Sequence, residues 1–194
     1  MRNAGGAVRF DETAVLDAVR DCVLDVGVRR TTLSDVARRA GVSRMSLYRR
    51  WAGVAALVAD LITRELLAVT DADLPADRPA DRGRLVTQVV AACEQLRAHP
   101  LLRKIVDVDP ELLLPYLLAR RGRSTDAILD RLVSAIATAQ RGGTVRDGDP
   151  ALLGRFVLLT AQSYVLSVAA VAAGARPATL PAELATLLDR YLRP

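Results

Sequence analysis

Residues 29–50 read RRTTLSDVARRAGVSRMSLYRR, seven arginines against a single acid. Guanidinium groups at that density suit anions, phosphates above all, because their planar fork of donors meets two oxygens at once. Hydroxyls are interleaved with them where helices would begin. Thr32 opens Thr32-Leu33-Ser34-Asp35, the spacing of a capping box, and Ser43 precedes Arg44-Met45-Ser46-Leu47-Tyr48. A hydroxyl beside the free N–H groups of a helix start fits a phosphate oxygen as well as it fits plain capping, and both roles stand open for Thr32 and Ser43. The stretch carries +6 and the whole chain +5, so everything else is slightly acidic. The positive field is concentrated in one place, as it is in proteins that hold a polyanion.

The elements around this stretch read as helices. Residues 11–26 put Val15, Leu16, Val19, Cys22, Val23 and Val26 on one stripe, and Gly27 supplies a stop. A second helix turns Leu33, Val36, Ala37 and Ala40 inward and ends at Gly41, where a positive φ permits a sharp turn. Small Ala37 lets the next helix cross closely, and Val42 and Leu47 fill the space between the two. That leaves Arg44, Met45, Ser46, Tyr48, Arg49 and Arg50 at or near the outer face of a helix from Ser43 to Arg50 or Trp51. A DNA major groove about 12 Å wide admits such a helix, N-terminal residues foremost.

Farther along, residues 54–69 show a helical stripe, and 71–83 (DADLPADRPADRG) read as a loop. Helices are expected at 82–98, 101–107, 110–120, 124–141, 150–173 and 181–192. No stretch alternates at the strand period, and with aromatics at 4% an all-β sandwich is excluded, so the fold class is all-α. From Phe156 to Ala173 there are eighteen residues without a charge, close to a membrane span in length. Thr160, Gln162, Ser163 and Ser167 interrupt them and no aromatic belt frames them, so burial against the chain's own domain and a twin subunit is expected, with no membrane.

Other chemistry is hard to place. There is no phosphate-binding glycine loop, nucleophile with a base, or carboxylate pair in an apolar setting. Asp107-Val108-Asp109 lacks the rest of a calcium loop. One histidine, His99, rules out a His-based zinc site, and no cofactor or metal is expected; the chain is not expected to be an enzyme. Two distant cysteines and an N-terminus without an apolar signal core fit a reduced, cytoplasmic protein.

Residues 11–69 resemble the DNA-binding domain of the TetR family of transcriptional regulators. The resemblance is carried by Thr31-Thr32, Asp35-Val36-Ala37, Ala40-Gly41-Val42-Ser43 and Ser46-Leu47-Tyr48-Arg49-Arg50-Trp51. It implies a flexible arm (1–10, with Arg2 and Arg9), a three-helix helix-turn-helix domain (11–53) and a helical effector-binding and dimerisation domain (54–194). It further implies a homodimer on a palindromic operator in double-stranded DNA, acting as a repressor released by a small apolar effector; the alternative is a constitutive DNA-binding protein without an effector. Arg44 is the candidate for bidentate pairing with guanine or, failing that, for a phosphate. Met45 and Ser46 are candidates for a thymine methyl or a base edge, Arg49 and Arg50 for phosphate clamps, and Tyr48 matches the family's tyrosine at a phosphate or base edge. Where the family commonly has a lysine at the start of the fourth helix, this chain has Ala52-Gly53-Val54, so either one phosphate contact is missing or Arg49 and Arg50 supply it. In the C-terminal half, Cys93, His99, Tyr116 and Tyr164 are candidate effector-lining residues, each with a plain core or helix-end role as the alternative. Helices 150–173 and 181–192 are the candidate dimer elements.

Overall fold

The computed structural model describes residues 10–73, 81–112, 123–172 and 179–194. Among them are nine α-helices, one 3₁₀ turn and no strand. Caps account for most of the boundaries. α1 (Glu12–Val26) starts where the Asp11 side chain accepts the N–H groups of Thr13 and Ala14, and stops at Gly27 with φ of 83°. α2 (Leu33–Ala40) starts on Thr32 and ends at Gly41, left-handed with φ of 66°. α3 (Arg44–Arg50) starts on Ser43. α4 is Val54–Asp73. It continues through 71–73, where the sequence suggests a loop, because the first residue that forbids helix is Pro75 and its disfavour reaches only one residue back.

α5 (Arg82–Ala98) is capped by Asp81, and α6 (Pro100–Val108) follows directly. Of the helix expected at 110–120, Pro110–Leu112 form a 3₁₀ turn and the rest lies outside the described residues. α7 (Arg123–Arg141) and α8 (Pro150–Val171) follow, with Asp149 capping α8 and Pro150 in its first turn. α9 is Thr179–Leu192, two residues longer at its start than expected.

The chain divides into two compact units. The first holds residues up to Arg64 and the segment from Pro100; the second holds Glu65–His99 and the helices from α7 onward. The division at Arg64, and not near residue 53, has a packing cause. Leu57, Val58 and Leu61 of α4, with Leu101 and Ile105 of α6, are buried in one cluster with Val15, Val19, Val36 and Leu47. The Trp51 indole N–H donates to Asp60 at 2.9 Å, and Arg64 pairs with Asp17 at 3.0 Å.

In the second unit, α5, α7, α8 and α9 enclose Leu85, Val89, Ile136, Leu153, Leu188 and Leu192. α7 and α8 cross tightly at Gly154, where a Cβ would lie 3.2 Å from Val133 Cγ2 and 3.3 Å from Leu129 Cδ1. The segment joining them is pinned by Arg146, which donates through Nε to the Tyr191 carbonyl at 2.8 Å and lies 4.8 Å from that ring's centre. Arg82 pairs with Asp189 at 2.7 Å. By length and composition α8 is the one helix among the described residues that could cross a membrane. It is not buried all round: Leu153, Gly154, Val157 and Val168 face the core, while Leu152, Phe156 and Leu159 are exposed, as is Leu187 of α9.

Candidate nucleic-acid interface

One side chain fixes what α3 displays. Leu47 is fully buried against α1 and α2, so the residues around the rest of the helix must point away from the core. Arg44, Met45, Tyr48 and Arg49 are exposed, Met45 by 68% and Tyr48 by 52%, a large apolar and aromatic surface left in water beside two guanidinium groups. Ser46 is half-buried, its hydroxyl 2.9 Å from that of Ser43. Trp51, next after α3, is buried and closes the core toward α4.

The seven arginines are not equivalent. Arg29 pairs with Glu111, Arg38 with Asp35 at 2.9 Å, and Arg39 with Asp25 at 2.8 Å. Arg50 reaches Glu12 with two nitrogens, at 3.2 and 3.3 Å, and lies 5.2 Å from the Trp51 ring centre. Arg30, Arg44 and Arg49 have no carboxylate partner among the described residues. Counting charge along the sequence therefore overstates the field. Glu12, Asp25 and Glu111, none of them within the arginine-rich stretch, neutralise part of it, and the uncompensated cations on α3 are Arg44 and Arg49.

This bears on Arg50 as a phosphate clamp, since Glu12 already occupies its fork. Glu12→Gln should leave the fold intact, because the pair is exposed and such pairs contribute about 1 kcal/mol at most. It should also free a cation: duplex affinity should rise severalfold at low salt, and the slope of log affinity against log salt should steepen by about one. An unchanged slope in a salt titration would show that Arg50 does not reach DNA.

The two hydroxyls expected at helix starts do cap in the free chain. The Thr32 hydroxyl accepts the Asp35 N–H at 3.2 Å and donates to the Asp35 carboxylate at 2.6 Å. That bond, with the Arg38 pair, holds the Asp35 carboxyl below the usual carboxylate range. Ser43 accepts the Ser46 N–H at 3.1 Å. The other N–H groups in the first turn of each helix have no intrahelical acceptor.

The candidate effector residues lie in the second unit, with Tyr116 outside the described residues. Cys93 is buried in the core, and burial, with Glu94 beside it, pushes its thiol up to about 12. Tyr164 packs against the same core and donates to Glu94 at 2.7 Å; burial and that bond push its phenol up to about 12. Arg97 donates to the same Glu94 oxygen at 2.9 Å. His99 stands apart, at the end of α5, 3.3 Å from the Glu65 carboxylate. Glu94 and Arg97 were not legible as partners of Tyr164; the only sequence signal is their i, i+3 spacing on α5.

Comparison with known proteins agrees with this geometry. The model of the bacterial regulatory proteins of the tetR family matches residues 15–61. An HTH-type transcriptional regulator of Mycobacterium bovis is 39% identical over 178 residues, 92% of each chain. SmeT, the repressor of the Stenotrophomonas maltophilia multidrug efflux pump SmeDEF, superposes with a TM-score of 0.67 at 19% identity, over 96% of this chain and 92% of that one. The transcriptional regulator FadR from Bacillus subtilis, solved in complex with stearoyl-CoA, gives 0.66 at 13% identity, over 94% and 100%. At such identities the two structures speak for the fold alone.

Proposed function

The chain belongs to the TetR family of helix-turn-helix transcriptional regulators, and on that premise we propose that it is a repressor that binds a palindromic operator as a homodimer and is released by a small apolar effector. The observation that carries the DNA-reading part is the outward display of Arg44, Met45, Tyr48 and Arg49 by a buried Leu47. In this reading Arg44, exposed at the start of α3, pairs with the O6 and N7 edge of a guanine, and Met45 and Ser46 meet a thymine methyl or a neighbouring base edge. In the same reading Arg49 clamps a phosphate beside that groove, Tyr48 meets a phosphate or a base edge, and Arg50 joins them when Glu12 yields. The starts of α2 at Thr32 and α3 at Ser43 supply neutral donors to the backbone.

Pairing of two copies rests on the outer faces of α8 and α9. Phe156 and Leu159 are 52% and 59% exposed, and with Leu152 and Leu187 they make an apolar surface that a twofold partner would cover with the same residues. What supports release by an effector is that FadR, a regulator of this fold, holds a small molecule, stearoyl-CoA. Cys93, His99, Tyr116 and Tyr164 are the candidate lining residues of the effector site, and Cys93 and Tyr164 are both neutral at ordinary pH. The setting is the cytoplasm, where the DNA is.

The test is selection of binding sites from random duplexes by the purified protein. The expected product is a twofold-symmetric site whose half-sites are centred about one helical turn, 34–36 Å, or a multiple of it, apart. Recovery of sites without symmetry would overturn the homodimeric reading. A selected site whose occupancy no apolar metabolite alters would leave the constitutive alternative.

A further inference from the structure

Asp109, at 1% exposure, is the one charged residue among the described residues that is buried, and it lies outside the outward face of α3. It follows α6, and its Oδ2 accepts the backbone N–H of Val28, 81 residues away in sequence, at 2.7 Å. Its Oδ1 lies 3.8 Å from Arg29 Nε, and Arg29 also pairs with Glu111. The fit is close: a Cβ on Gly27 would stand 2.9 Å from Asp109 Oδ2 and 3.1 Å from Val108 Cγ1. Residues 27–29 and 109–111 thus interlock within the first unit.

What Asp109 grips is the turn between α1 and α2. Gly27 ends α1, and its carbonyl accepts the hydroxyl of buried Thr31 at 2.8 Å, while the Thr31 N–H donates to Val28 at 3.1 Å. The next residue, Thr32, caps α2. The turn has no ladder of its own to hold it, and a carboxylate accepting a backbone N–H out of water is a strong and directional tie. A buried carboxylate is costly unless hydrogen bonds and opposite charge offset the burial, and here the Val28 N–H and the Arg29 guanidinium do so.

We propose that Asp109 is a positioning residue for DNA binding: by holding Val28 it fixes the α1–α2 turn and so the start of α2 and the exposed Arg30 relative to the duplex backbone. The proposal rests on the first unit docking on DNA through α2 and α3. Asp109 touches no base, so its loss weakens all sequences alike.

The experiment compares Asp109→Asn and Asp109→Glu with the wild-type chain, reading the dissociation constants for operator and random duplex, the active fraction by stoichiometric titration, and exchange of the Val28 amide. Asn keeps an acceptor at the right length and should bind within about threefold of wild type. Glu keeps charge and acceptor but adds a methylene where Gly27 leaves no room. It should weaken operator and random duplex equally, by about tenfold, the scale of one buried hydrogen bond, with the active fraction intact and Val28 exchanging faster. Wild-type affinity in the folded Glu variant would overturn the proposal. So would a loss confined to the active fraction, which marks a purely structural role. Failure of the wild-type chain to bind any duplex would instead overturn the docking reading, with the Val28 exchange comparison still standing.

Discussion

Replacing Arg44 by alanine should reduce the preference for operator over random duplex by about 5- to 150-fold, the equivalent of about 1–3 kcal/mol for one bidentate contact to guanine. The residue is exposed, it begins the helix that Leu47 anchors, and no carboxylate among the described residues competes for its guanidinium. Stability should hardly change, since the side chain packs against nothing in the core. Thr32→Ala is the matched contrast. It removes the hydroxyl that caps α2 and bonds Asp35, at a cost of about 0.5–2 kcal/mol, and should weaken operator and random duplex in equal proportion. Fluorescence anisotropy titrations with both duplexes at two salt concentrations separate the outcomes. If Arg44→Ala lowers affinity uniformly, the arginine holds a phosphate; if neither variant changes anything, α3 is not the reading helix.

The second large effect is expected at the far end of the chain. Phe156→Arg combined with Leu159→Arg places two cations on the outer face of α8 without disturbing its inner face, where Leu153, Gly154 and Val157 pack. Each twofold partner would meet its own like charges, so the double variant should sediment as a folded monomer with unchanged helical circular dichroism. Operator affinity should fall by about 10²- to 10⁴-fold, because the second half-site then gains nothing from the first. A single half-site should still be bound as the wild-type chain binds it. A variant that stays dimeric would move the interface elsewhere.

The parts of this molecule that were legible in the sequence are those fixed by near neighbours. Thr32 and Ser43 as caps and Gly27 and Gly41 as stops depend on residues at most four positions away, and Leu47 stands out as the one aliphatic residue among arginines, serine and tyrosine in the second half of α3. The charge balance of the DNA-facing surface does not. Glu12 meets Arg50 across 38 positions and Asp25 meets Arg39 across 14, and no periodicity signals either pair. Asp109 was visible only as part of an incomplete calcium loop, because its partner is a backbone N–H that sequence cannot single out. α6 reads as one more amphipathic helix. Its placement with α1, through Leu101 and Ile105, depends on which of two apolar cores receives it. The same limit holds for Tyr164, whose phenol could be read as core or lining but whose bond to Glu94 spans 70 positions.

Trp51 has a practical consequence. It is the chain's single tryptophan, its indole is sealed in the first unit, and it donates to Asp60 one helix away. Intrinsic indole emission therefore watches only that half of the molecule, whereas ellipticity records both. Melting followed by the two signals together will reveal whether the halves come apart in one cooperative event or two, with no label attached.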